Sequence, residues 1–176
     1  DSSFEIDALS MNDMLTWNHA DFENSAVNIF DSSFSRFYID NSEVRTGSVM
    51  QVNGSTFTSG VRFDFTKIIA SSVVFSNNLI EDTQSSGSYN AMAVYFDILC
   101  YIQAASSLTF TQNIIRGVHT SGSVSKKGYA ILASSSMYVQ TGSRLNFLCN
   151  VIEGTTAGLP GHAIYWQGKL DGDSRP

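Results

Sequence analysis

Apolar residues in this chain come in short runs spaced two apart, and the runs recur. Val73, Phe75 and Ile80 flank the polar step Ser76-Asn77-Asn78. Leu108, Phe110, Asn113 and Ile115 repeat the arrangement, and Leu145, Phe147, Asn150 and Ile152 repeat it again. Each copy reads apolar, x, Phe, x, x, Asn, x, Ile. Fainter copies lie upstream at Met50, Val52, Ser55, Phe57 and at Val27, Ile29, Ser32, Phe34, with Ser where the later copies carry Asn. The polar anchors at 32, 55, 78, 113 and 150 are 23, 23, 35 and 37 residues apart. Residues two apart share one face of a strand, so Val73 and Phe75 face inward together. Alternation breaks at Asn77-Asn78, which predicts a bend between two short strands. Asn suits such a bend because it tolerates positive φ and its amide can bond backbone groups.

A second apolar column runs through Val61, Phe63 and Phe65, aligned with Val94, Phe96 and Ile98 and then with Ile131 and Ala133. Ile69, Ile102 and Val139 close the segments, and a last copy starts at Ala163-Ile164-Tyr165-Trp166. Each repeat supplies about three short strands, none able to bury its apolar face alone. Coiling the repeats stacks equivalent positions about 4.8 Å apart and buries one continuous column. The lack of a 3.6-residue period beyond the first twenty-five residues excludes helical arrays, and a single Asn-Gly pair, Asn53-Gly54, argues against the hairpins of a propeller. The prediction is an all-β, three-sided parallel β-helix of about five coils over residues 25–168. Residues 1–24, with Ile6, Leu9, Met11, Met14, Leu15, Trp17 and Phe22, read as an N-terminal cap or irregular first coil, and 169–176 as a C-terminal tail.

The stacked anchors Asn78, Asn113 and Asn150 resemble the internal asparagine ladder of the right-handed parallel β-helix family typified by pectate lyases; Ser55 and Ser32 depart from it. More narrowly, residues 142–154 and 71–82 resemble repeats of the large dispersed gene family surface proteins of trypanosomatid parasites. The first resemblance implies a right-handed coil and, on the strand after the ladder, a polysaccharide cleft. The second implies a place outside the cell or at its surface.

Composition narrows the function classes. The chain has 176 residues, enough for one core; its 43% hydrophobic and 15% charged content excludes a disordered chain. A net charge of −6 argues against a nucleic-acid surface, and no apolar run is long enough to span a membrane. Asp1, Glu5 and Asp7 stand where a secretory leader would be basic, so the chain is expected to begin mature, trimmed or excised. Cys100 and Cys149 lack metal-ligand spacing and are expected as two small buried hydrophobes.

Chemistry has one place to gather. Insertions fall at a single corner after the anchor strand (82–90, 117–128 and 154–161), and loops of unequal length on a regular scaffold are where binding usually resides. With Val61, Val94 and Ile131 aligned, Asp64, Asp97 and Ser134 form an outward column, preceded by Asp40 and followed by Gln167, with Arg62 on the same face. Carboxylates stacked this closely repel, so at least one should titrate high unless a cation lies between them. Two readings follow. Asp64 and Asp97, with Arg62, are the acid and base of a polysaccharide lyase or glycoside hydrolase, or calcium ligands; or they are exposed carboxylates on a solvated sheet. The residues typical of the family's lyases and hydrolases are missing from the matching strand, so no catalytic residue, metal ligand or cofactor is assigned. His19, His119 and His162 have no ligand-spaced partner; His162, before Tyr165 and Trp166, could instead help hold a sugar ring.

The expectation is thus a non-enzymatic structural or adhesive module, extracellular or on the cell surface, presenting the loop corner to glycans or proteins. The alternatives are an enzyme acting on acidic polysaccharide and a fibre segment built by end-to-end or homo-oligomeric assembly.

Overall fold

The structure, a computed structural model, describes residues 2–82, 91–117, 128–154 and 162–170. Along the chain run β1 (Ser2–Asp7), β2 (Met14–Asn18), β3 (Asp21–Glu23), β4 (Ser25–Phe30), β5 (Ser33–Phe34), β6 (Arg36–Asp40), β7 (Glu43–Arg45) and β8 (Val49–Asn53). They continue as β9 (Thr56–Phe57), β10 (Val61–Asp64), β11 (Lys67–Ile69), β12 (Ser72–Ser76), β13 (Leu79–Asp82), β14 (Ala91–Phe96), β15 (Cys100–Gln103) and β16 (Ser107–Thr111). The last are β17 (Ile114–Gly117), β18 (Gly128–Ala133), β19 (Met137–Val139), β20 (Arg144–Leu148), β21 (Val151–Gly154), β22 (His162–Trp166) and β23 (Lys169–Leu170).

From β2 to β19 each strand pairs in parallel with the strand four places on, and β1 pairs with β4, which makes the molecule a parallel β-helix. Three sheets hold six strands each: sheet A (β1-β4-β8-β12-β16-β20), sheet C (β2-β6-β10-β14-β18-β22) and sheet D (β3-β7-β11-β15-β19-β23). Sheet B (β5-β9-β13-β17-β21) holds five. A coil therefore carries four strands, not three: the two- to four-residue strands of sheet B follow the ladder and are separate from those of sheet C.

Residues 2–23 wind as a first coil. β1, β2 and β3 pair in register with β4, β6 and β7, and Ser10 bridges Ser33 where sheet B would continue. With this segment included the described winding has six coils. Its apolar residues are spaced as strand alternation requires, but the Ser framing that marks later coils is missing.

The core is the inward column of all four sheets. Phe75 stacks on Phe110 at 4.9 Å and Phe110 on Phe147 at 5.1 Å, while Phe63 stacks on Phe96 at 5.2 Å. The aligned pairs Val61/Val94, Phe63/Phe96, Val94/Ile131 and Phe96/Ala133 are register partners as expected. Two positions differ. Phe65 and Ile98 are 41% and 43% exposed because they lie past the ends of β10 and β14, and Phe65 takes φ +45°. In sheet D the inward residue is Ile68, paired with Ile102, rather than Ile69.

Three turns recur in the coils, each built the same way: a residue with positive φ, then a small inward side chain. Between sheets A and B the pairs are Asp31/Ser32, Gly54/Ser55, Asn77/Asn78, Gln112/Asn113 and Cys149/Asn150. Between C and D they are Asn41/Ser42, Phe65/Thr66 and Leu99/Cys100; between D and A, Gly47/Ser48, Ala70/Ser71, Ala105/Ser106 and Gly142/Ser143. A left-handed non-glycine residue costs about 1–3 kcal/mol and persists only where its surroundings over-determine it. At most of these turns the following side chain does so by bonding nearby backbone carbonyls, whereas Ser143 Oγ is buried without a partner.

At the A–B turn the backbone N–H of each rung donates to the side chain of the next coil: Leu9 to Ser32 Oγ (3.1 Å), Ser32 to Ser55 Oγ (3.1 Å), Ser55 to Asn78 Oδ1 (2.8 Å), Asn78 to Asn113 Oδ1 (2.9 Å) and Asn113 to Asn150 Oδ1 (2.9 Å). The other two turns repeat the device in part, with Ala20 N–H on Ser42 Oγ and Ser71 N–H on Ser106 Oγ.

Candidate functional site

The outward column expected on the strand after the ladder exists, on sheet C. Asp64 is paired with Asp40, and Asp97 follows the pair Phe63/Phe96 by one residue, with its N–H on the Phe63 carbonyl. Ser134 and Gln167 continue the column through their N–H groups on Phe96 and Ala133. A neighbouring outward column, which the sequence reading passed over, runs Thr16, Tyr38, Arg62, Tyr95, Leu132, Tyr165.

The two columns lock together. Arg62 Nη2 lies 2.6 Å from Asp97 Oδ2 and 3.0 Å from Asp64 Oδ2. Tyr38 Oη donates to Asp64 Oδ2 at 2.8 Å, and Tyr95 Oη donates to Asp97 Oδ1 at 2.7 Å. The guanidinium sits between two rings, 5.5 Å from the Tyr38 centroid and 5.2 Å from that of Tyr95. A planar cation stacks on aromatic faces and bridges carboxylates at once, which an ammonium on a flexible stem does less well. Asp64 is only 5% exposed, so the picture of an exposed carboxylate on a solvated sheet is corrected: the side chains of Tyr38 and Arg62 partner it.

Burial raises the Asp64 carboxyl above its ordinary range, and its bonds from Tyr38 and Arg62 offset only part of that. Burial, then the hydrogen bond to a carboxylate, pushes the Tyr38 and Tyr95 hydroxyls upward, so both stay protonated donors at neutral pH. The cation expected between the carboxylates is thus Arg62 from the chain itself. Two atoms of the cluster are left over: Asp64 Oδ1 and Arg62 Nε are buried without a hydrogen-bond partner. Among the described residues no group of three His, Cys, Asp or Glu is arranged to hold a metal ion.

The other candidates scatter. Cys100 is buried in the C–D turn, donates to the Phe63 carbonyl and has its thiol pushed up to about 12 by burial; Cys149 is exposed, which corrects the expectation of two buried thiols. His162 stacks on Tyr129 at 5.8 Å and lies 5.6 Å from Tyr165, forming an aromatic cluster at the start of β18 and β22. Trp166 bonds the Gly168 carbonyl and packs on the core instead of joining that cluster. Of the inserted corners, residues 83–90, 118–127 and 155–161 lie outside the described residues. So does His119. In each case the strand before belongs to sheet B and the strand after to sheet C.

Comparison with family models, with curated proteins and with solved structures yields no match to this chain. What it does must be argued from the geometry.

Proposed function

We propose that this chain is a non-enzymatic structural and adhesive β-helix module of an extracellular or cell-surface repeat protein, presenting the corner between sheets B and C to glycans or protein partners. One observation carries the reading. The two carboxylates that a lyase or hydrolase would use are already bound by Arg62, Tyr38 and Tyr95 of the same chain. A general acid or base must reach a substrate proton within hydrogen-bond distance. Here Asp97 spends one oxygen on Tyr95 and the other on Arg62, and Asp64 is buried. The cluster works as a clamp across three coils, from Tyr38 through Arg62 to Tyr95. Its job is to keep sheet C regular beside corners of unequal length.

The resemblance of residues 71–82 and 142–154 to trypanosomatid surface repeats supports the cell-surface placement, and the pectate-lyase-like ladder supports a right-handed coil. The aromatic cluster of Tyr129, His162 and Tyr165 supplies rings next to the corner, and rings with polar tips suit sugar or protein contacts. Incubating the protein with pectin, alginate and related acidic polymers, with and without calcium, tests the reading. No turnover is expected. Turnover abolished by Asp97→Asn would replace the clamp with an active site.

A further inference from the structure

Sheet A is unlike the other three. Its four central strands, β4, β8, β12 and β16, contain no Asp, Glu, Lys, Arg or His. Their outward positions fall into three register columns: Ala26, Val49, Ser72, Ser107; Asn28, Gln51, Val74, Thr109; and Phe30, Asn53, Ser76, Thr111. None of these twelve is buried. Protein surfaces are about 25–35% charged, so a patch of twelve would ordinarily hold about three or four charges. The charges begin only at the margins, with Glu5 and Asp7 on β1 and Arg144 on β20.

This face is bounded on both sides by the tight positive-φ turns, and the inserted stretches connect strands of sheets B and C instead of strands of sheet A. Hydroxyls and amides recur at the strand spacing of about 4.8 Å. Several are held by one another: Ser72 to Ser107 at 3.1 Å, Ser76 to Asn53 at 3.1 Å and Asn146 to Thr109 at 3.1 Å. Phe30, Val49 and Val74 place apolar patches between them.

We infer that the outer face of sheet A is a docking surface for an uncharged, hydroxyl-rich polysaccharide lying flat across the strands. An acidic polymer finds no cation here, and a basic one no anion. A second copy of the face would bury mostly small polar side chains, with Phe30 the single aromatic among the twelve and none of the Met and Arg anchors that protein interfaces favour. A neutral glycan matches both halves of the face, its hydroxyls to the Ser, Thr, Asn and Gln columns and its C–H surfaces to Phe30, Val49 and Val74. The inference rests on the adhesive part of the proposed function but moves contact from the loop corner to a sheet.

The test is retention of the full chain on insoluble cellulose and chitin, against pectate, at low and high salt. The expected result is retention on a neutral polymer that salt leaves unchanged. The double variant Gln51→Lys, Thr109→Lys should reduce it at least tenfold. Gln103→Lys, which adds charge on sheet D, should not, and equal unfolding midpoints would show that both variants fold. Equal retention of the variants, or salt-sensitive binding to pectate alone, overturns the inference. Loss of retention only on shortening 118–127 overturns it while leaving the loop-corner reading in place. No retention on any polymer counts against both. A concentration-dependent dimer abolished by Gln51→Lys would make the occupant a second copy and overturn it too.

Discussion

Serine and asparagine hold the same turn in different coils, and the difference in reach decides what each can tie. Ser32 and Ser55 accept one N–H from the preceding coil and return their own proton to a carbonyl of their own coil, that of Phe30 or Asn53. Asn78, Asn113 and Asn150 accept the same N–H, but their Nδ2 donates back to the carbonyl of Val52, Phe75 or Phe110 in the preceding coil. Asn78 and Asn113 also donate forward to the next Oδ1. A hydroxyl closes a turn; an amide joins three coils. The division follows the insertions. Serine rungs connect over 23 residues, whereas the asparagine-to-asparagine steps span 35 and 37. Where the chain leaves the coil for an inserted corner, the turn that follows register most directly carries the longer side chain.

Breaking the comparison at its strongest rung should have the largest effect. Asn113→Ala strands the buried N–H of Asn78 and the carbonyl of Phe75. Each orphaned group costs about 1–3 kcal/mol, so a loss of about 3 kcal/mol or more in urea unfolding is expected. Sharpening it from the other side gives a smaller effect. Ser55→Asn should reach the carbonyl of Ile29, which occupies the place of Val52 and Phe75 in its own coil. That one added bond should stabilise by about 0.5–1 kcal/mol. A loss of stability, measured the same way, would mean that the turn and not the reach sets the choice.

Much of this was legible in the sequence. The Asn anchors, the inward Phe column and the outward row Asp40, Asp64, Asp97, Ser134 follow from spacing alone. The ladder at the A–B turn was legible even where Ser replaces Asn. The C–D turn was not, because Ser42, Thr66 and Cys100 share no residue type and their neighbours carry no common signal; the D–A turn repeats serine at Ser48, Ser71, Ser106 and Ser143, a signal the spacing held but the anchors overshadowed. The first coil was read only as a cap or an irregular coil because its strands lack Ser framing while keeping the alternation. The clamp needed one further step: once Val61 is set against Val94, Arg62 falls against Tyr95, and a cation between tyrosines beside two carboxylates could have been anticipated. That the clamp buries Asp64 could not, since burial depends on how the Tyr38 ring lies across the next strand.

The claim that matters most for function is that Arg62 neutralises Asp64 and Asp97 for structure and leaves them no chemistry. Unfolding of Arg62→Leu at pH 7 and at pH 3 tests it. Asp64 titrates high in the fold, and without Arg62 it should titrate higher still. Its ionisation then penalises the folded state, an effect present above the folded value and relieved as pH falls toward the ordinary carboxylate value of about 3.9. The expected deficit is about 2 kcal/mol at pH 7, less than the about 3–5 of a fully buried pair because Arg62 is 35% exposed, and it should largely vanish at pH 3. An Arg62→Leu protein as stable as the parent at pH 7 would contradict the clamp.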